Sequence, residues 1–187
     1  MIERLFALAV IVLARVITGV RGSWQGGPPD ARPRLYFANH ASHGDFILIW
    51  TALPRLLRRA ARPVAAADYW LHGRIRRFIV ERVFRAVLID RQAAAHEDPI
   101  ARMVAALDAG ASLIFFPEGT RNLTEQRLLP FKAGLYHLAR ARPAVELVPV
   151  WIENLNRVMP KGELVPIPLL CTVTFGAPLR LAEGEAR

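Results

Sequence analysis

Two short polar segments carry the residue types best suited to chemistry. The first reads Asn39, His40, Ala41, Ser42, His43, Gly44, Asp45 and follows a short apolar run. A histidine five positions before an aspartate, on a turn, can fold so that the carboxylate meets one imidazole nitrogen. The carboxylate then fixes the tautomer and stabilises the imidazolium, and the other nitrogen can take a proton from a hydroxyl. That is a base with its orienter and no protein nucleophile, so the reacting hydroxyl would be the substrate's own. A plainer role fits the same residues. Ser42 and Asp45 make the Ser-x-x-Asp pattern of a capping box ahead of the apolar residues 46–50, and on this segment alone a helix cap accounts for Asp45. His43 is a second imidazole on the same loop.

The second segment reads Phe116, Pro117, Glu118, Gly119, Thr120, Arg121, Asn122. Glycine lets backbone N–H groups approach an anion, Thr120 adds a hydroxyl, and Arg121 can fork onto a phosphate. Glu118 can orient Arg121 or a substrate hydroxyl. A Pro-Gly turn with a solvated charge pair is the simpler alternative. A third apolar run, 87–89, ends at Asp90 and Arg91. Arg91 alone reads as a surface arginine. Three polar clusters, each closing an apolar run, make a site a better reading than any one of them does.

The elements that must position these residues alternate in type. Runs 34–38, 63–66, 87–89, 112–116, 145–152 and 171–175 read as strands, and 45–57, 69–82, 99–109 and 131–140 as helices. This alternation predicts an α/β single domain with a largely parallel central sheet flanked by helices. Ligands of such sheets sit beyond the carboxyl ends of the strands, where the polar clusters fall. An apolar stretch, 5–20, precedes the domain and is interrupted by Arg15, Thr18 and Gly19. It is shorter than the roughly 20 apolar residues of a spanning helix, so it reads as a helix lying in one leaflet with Arg15 snorkelling to headgroups. The expected organisation is an apolar membrane-associated helix over 1–20, a Gly/Pro-rich linker over 21–33 and the main domain over 34–187.

The formal net charge is +9, nearly all of it from arginine, since Lys132 and Lys161 are the only lysines. Such a balance points to an anionic partner. Nine arginines, Arg55, Arg58, Arg59, Arg62, Arg74, Arg76, Arg77, Arg82 and Arg85, crowd the middle of the chain and suggest a surface for anionic membrane or an acidic carrier protein. No helix-turn-helix or RNA-binding signature supports a nucleic-acid partner. The single cysteine, Cys171, leaves no disulfide framework and no cysteine-based zinc site. No Gly-x-Ser-x-Gly elbow marks a serine hydrolase.

Asn39, His40, Ser42 and Asp45 together with the full Phe116–Pro117–Glu118–Gly119–Thr120–Arg121 run resemble the first and third motifs of PlsC-type glycerolipid acyltransferases. Arg91 resembles the end of the second motif and Val148-Pro149-Val150 the fourth. Phe131-Lys132-Ala133-Gly134 is similar to the segment after the third. The resemblance covers about 34–176. It departs at Ala86, where the family usually has glycine, and at Asn122, where serine is common. It implies transfer of a fatty acyl group from a thioester to a lysophospholipid hydroxyl, with 1-acylglycerol-3-phosphate the expected acceptor and another lyso-lipid, such as a lyso-aminolipid, the alternative. His40 and Asp45 are then the expected catalytic pair. Arg91, Glu118, Gly119, Thr120 and Arg121 are expected to hold the acceptor, supported by Asn39, Ser42 and Lys132. No cofactor or metal is implied, because acyl-CoA or acyl-carrier protein is a consumed substrate. The expected location is the cytoplasmic face of the inner or plasma membrane.

Overall fold

The computed structural model describes residues 1–27, 29–90, 98–155 and 170–181. The chain opens with α1 (Ile2–Thr18), which Gly19 ends in a left-handed conformation with its N–H on the Arg15 carbonyl. Arg15 in the last turn suits the negative end of the helix dipole. β1 (Arg21–Trp24) and β2 (Arg34–Ala38) follow. The segment expected to be a linker therefore begins with a strand. β1 pairs in parallel with β7 (Thr172–Phe175), and Trp24 stacks on Phe175 at 4.0 Å. Its Arg-Gly-Ser-Trp composition carries no strand signal, because what holds it is a partner about 150 positions away.

The helix expected over 45–57 is two helices, α2 (Asp45–Ala52) and α3 (Arg55–Ala60). Leu53 between them is extended, as the residue before a proline prefers to be. β3 (Ala61–Ala66) leads to the region expected as one helix over 69–82. It is instead α4 (Ala67–Trp70), a break at Gly73, α5 (Arg74–Phe78) and one π-helical turn, Ile79–Val83. Gly73 has φ +91°, which interrupts the helical path despite the apolar periodicity. β4 (Val87–Ile89), α6 (Pro99–Asp108), β5 (Ser112–Phe115), α7 (Gly134–Ala141) and β6 (Glu146–Glu153) complete the elements among the described residues. Asp98 starts α6, its side chain accepting the Ile100 N–H, with Pro99 at the first helical position.

Among the described residues seven strands form one sheet in the order β1-β7-β6-β2-β5-β3-β4. Neighbours run parallel except β6 and β7. Strand residues alternate between two cores, as the two-residue side-chain period requires. Tyr36, Ile114 and Val148 pack toward α1 and α2, while Leu35 and Leu113 pack toward α6 and α7. Each such fully buried side chain contributes about 1.5–3 kcal/mol. β2 lies between β6 and β5 with Phe37 opposite both Pro149 and Phe115. Loops leaving β2 and β5 therefore emerge side by side at the carboxyl edge. At the opposite edge, the buried Arg34 pairs with Glu146 at 3.0 Å and ties the starts of β2 and β6.

Not all of the central arginines face solvent as a basic patch. Arg58 turns inward and donates to the carbonyls of Trp50, Thr51 and Leu53 at 2.6–2.8 Å, closing the end of α2. Arg77 pairs with Glu81 one helical turn on, and Arg85 donates to the Arg59 carbonyl. Among the described residues no helix is long and apolar enough to cross a membrane. α1 buries one face, Ala7, Val10, Ile11 and Ile17, against the core. It leaves Ile2, Leu5, Leu8, Val12, Leu13 and Val16 exposed.

Candidate active site

His40 sits on the loop leaving β2. Its Nδ1 lies 2.8 Å from Asp45 Oδ2. The Asp45 side chain is 2% exposed and that of His40 21%, so the carboxylate lies behind the imidazole and the imidazole faces outward. The same Asp45 oxygen accepts the N–H groups of Ala41 at 2.7 Å and Ser42 at 2.8 Å. The cap and the dyad, alternatives in sequence, thus coexist on one atom. The capping box is only half formed. Asp45 is the first helical residue, Gly44 is the N-cap without a side-chain bond, and Ser42 Oγ accepts from Gly44 N at 3.3 Å. Phe116 stacks beneath the His40 ring at 4.3 Å.

The loop leaving β5 stitches itself to the His40 loop. Asn122 N–H donates to the His40 carbonyl at 2.6 Å, and Glu118 Oε1 accepts the His40 N–H at 2.8 Å. Asn39 behaves as one more strand residue. Its side chain donates to the Ile152 carbonyl at 3.1 Å and accepts the Ile152 N–H at 2.8 Å, extending the β2–β6 ladder to the base of the loop. Gly119 has φ +67°, and a β-carbon there would come within 2.8 Å of the Lys132 side chain. Only glycine lets Lys132 cross so close.

A cleft of about 690 Å³ opens over this edge. Its apolar lining includes Val64, Val80, Ile89, Ile100, Met103 and Phe115, and its polar lining includes His40, His43, Thr120, Arg121, Lys132 and His137. The structure thus brings together His40, Gly119, Thr120, Arg121 and Lys132 in one cleft. Asp45 and Glu118 lie behind it, bordering a second, more polar hollow of about 560 Å³. Glu118 does not pair with Arg121; its second oxygen, Oε2, accepts the Leu129 N–H at 2.9 Å. Arg91 lies outside the described residues. His43 stacks on Tyr69 at 5.2 Å, and Arg76 covers Tyr69 at 5.0 Å. Burial holds the His43 imidazole below its ordinary pKa, and the Arg121 charge adds to the effect. Among the described residues no cluster of three or more His, Cys, Asp or Glu side chains is arranged to hold a metal ion.

Phe116 as a ring shelf, Asn122 as a backbone tether and His137 on the cleft wall went unnoticed in the sequence. The first two act through a ring face and a main-chain N–H, which residue type does not advertise. His137 lies three residues along α7 from Gly134, which also lines the cleft, a helical spacing that could have placed it on the same wall.

A largely parallel α/β sheet with a His–Asp pair, Arg121 and Lys132 gathered at its carboxyl edge is an arrangement that can support general-base chemistry beside an anion. The chain belongs to the acyltransferase family, whose model matches residues 26–153. It is similar to a 1-acyl-sn-glycerol-3-phosphate acyltransferase of Cocos nucifera, 33% identical over 81% of this chain and 47% of the relative. A Limnanthes douglasii protein of the same name is 31% identical over 87% of this chain and 56% of the relative. The chain thus spans about half the length of these curated relatives. The crystal structure of the Thermotoga maritima 1-acyl-sn-glycerophosphate acyltransferase PlsC shares the fold. The TM-score is 0.71 at 20% identity, covering 98% of this chain and 74% of that one.

Proposed function

We propose that the chain transfers a fatty acyl group from an acyl thioester to the free hydroxyl of a lysophospholipid, with 1-acylglycerol-3-phosphate as acceptor and phosphatidic acid as product. The observation that carries this reading is the cleft itself. It combines apolar side chains fit for an alkyl chain with Thr120, Arg121 and Lys132, fit for a phosphate, and with the Asp45-held His40 on its wall. The names of the relatives agree with that acceptor.

His40 Nε2 takes the acceptor's hydroxyl proton as the oxygen attacks the thioester carbonyl. The C–O bond forms, the C–S bond breaks, and the departing thiolate receives the proton from the imidazolium. Asp45 stabilises that imidazolium. General-base assistance of this kind contributes about 10²- to 10⁴-fold. Arg121, Lys132, Thr120 and the Gly119 backbone hold the acceptor's phosphate and glycerol, with Arg91 assigned to the same task from the motif it resembles. Asn39 and Ser42 support the His40 loop. The donor is acyl-CoA or acyl-carrier protein, consumed in the reaction. Asp68 on the cleft wall favours a second reading, an acceptor that carries an amine.

In this reading the sheet domain, β1 included, carries the transfer, and 1–20 attach it to an anionic membrane on its cytoplasmic face. The exposed apolar face of α1 would lie in one leaflet with Arg4 and Arg15 among the headgroups. The deciding experiment is a panel of lyso-lipid acceptors with acyl-CoA and acyl-carrier protein donors, read by mass spectrometry. Phosphatidic acid from lysophosphatidate supports the reading. Acylation of a lyso-aminolipid alone replaces the acceptor, and no acyl product at all refutes the function.

A further inference from the structure

We propose that Glu118 is a positioning residue for His40 and makes no contact with the acceptor. This rests on the acyl-transfer reading of His40 and alters the part played by a residue beside it. Glu118 is 2% exposed. Its two oxygens are divided between two backbone amides, His40 N–H at 2.8 Å and Leu129 N–H at 2.9 Å. Gly119, Thr120 and Arg121 line the large cleft; Glu118 does not. It borders instead the second hollow, beside Asn39, His40, Asp45 and Asn122, with both oxygens spent on main-chain N–H groups.

The chemistry of the residue fits this task. Two N–H groups converging from separate loops need one side chain with two acceptors, and an ionised carboxylate supplies both with charge-assisted bonds. A glutamine would present one acceptor and one NH₂ group, and the NH₂ would face an N–H. Together with Asn122, Glu118 holds both backbone polar atoms of His40 from a single segment, 118–122. The segment that carries Arg121 toward the acceptor therefore also sets the place of the base. An acceptor anion gripped by Arg121 is registered against His40 through two hydrogen bonds of one loop, which is what near-attack positioning requires.

The test is Glu118→Gln in the full chain, with steady-state kinetics on the acylated acceptor and proton NMR of the His40 Nδ1–H, assigned by its absence in His40→Ala. A displacement of the base lowers kcat by about 10²-fold, while the acceptor KM stays within about threefold of wild type, because the Arg121 contacts remain. The downfield Nδ1–H resonance is expected to broaden or vanish. An acceptor KM raised tenfold or more, with kcat and the resonance unchanged, overturns the proposal and makes Glu118 a substrate ligand. Glu118→Asp keeps the charge and shortens the reach, and serves as the second variant. The same kcat loss is expected, and wild-type kcat in Glu118→Asp also overturns the proposal. If the wild-type chain acylates nothing, the function above fails, while the resonance in the two variants still decides whether Glu118 positions His40.

Discussion

Replacing Asp45 by Asn separates its two roles. The carboxylate oxygen that meets His40 Nδ1 at 2.8 Å also accepts two backbone N–H groups. An amide oxygen in the same place keeps all three acceptor contacts in shape but removes the charge. At an effective dielectric constant of about 20, unit charges 2.8 Å apart interact by about 6 kcal/mol. That is the gross attraction available to an imidazolium forming in front of Asp45. The amide dipole keeps part of it, so the expected loss in kcat is about 10²- to 10⁴-fold. Stability should change little, because the Ala41 and Ser42 amides stay paired. Asp45→Ala orphans both amides and should cost about 1–3 kcal/mol for each that becomes buried and unpaired. The assay is kcat on the acceptor identified by the panel, with thermal unfolding followed by circular dichroism. An Asp45→Asn enzyme within about threefold of wild-type kcat, beside an inactive and destabilised Asp45→Ala, would refute the dyad and leave only the cap.

Further outcomes follow from other contacts. Arg121→Ala should lower kcat/KM for a phosphate-bearing acceptor by about 10- to 100-fold, the worth of one charged hydrogen bond, and change little for an acceptor without a phosphate. Gly119→Ala should lose activity and about 1 kcal/mol or more of stability in chemical denaturation, since it meets both a φ of +67° and the Lys132 side chain. Arg58→Ala should lower the melting temperature, because three carbonyls at the end of α2 lose their donor, while liposome co-sedimentation stays at the wild-type level. Leu8→Glu with Val12→Glu should abolish co-sedimentation with anionic liposomes without unfolding the domain, both side chains being exposed.

Where local pattern and tertiary partner agree, the sequence was enough. The strands at Arg34–Ala38 and Val87–Ile89 fall where their apolar runs place them, and the motif loops emerge at the expected strand ends. β1 was illegible because its ladder comes from β7, far along the chain. The breaks at Pro54 and Gly73 were written in the sequence but lay beneath a continuous apolar periodicity. Burial is what sequence reasoning lacked at Arg58 and Glu118. Arg58 read as part of a basic surface and Glu118 as a holder of the acceptor, yet both spend their polar atoms on main-chain groups. The choice between cap and dyad at Asp45 could not be made from spacing either, since one oxygen serves both.

The central claim is that His40 takes the proton of a substrate hydroxyl during acyl transfer. It is tested most directly by single-turnover acyl transfer in His40→Ala, with acceptor binding measured on the same protein. The account predicts a chemical step slowed by about 10²-fold or more with acceptor affinity unchanged. A wild-type rate of transfer in His40→Ala would contradict it.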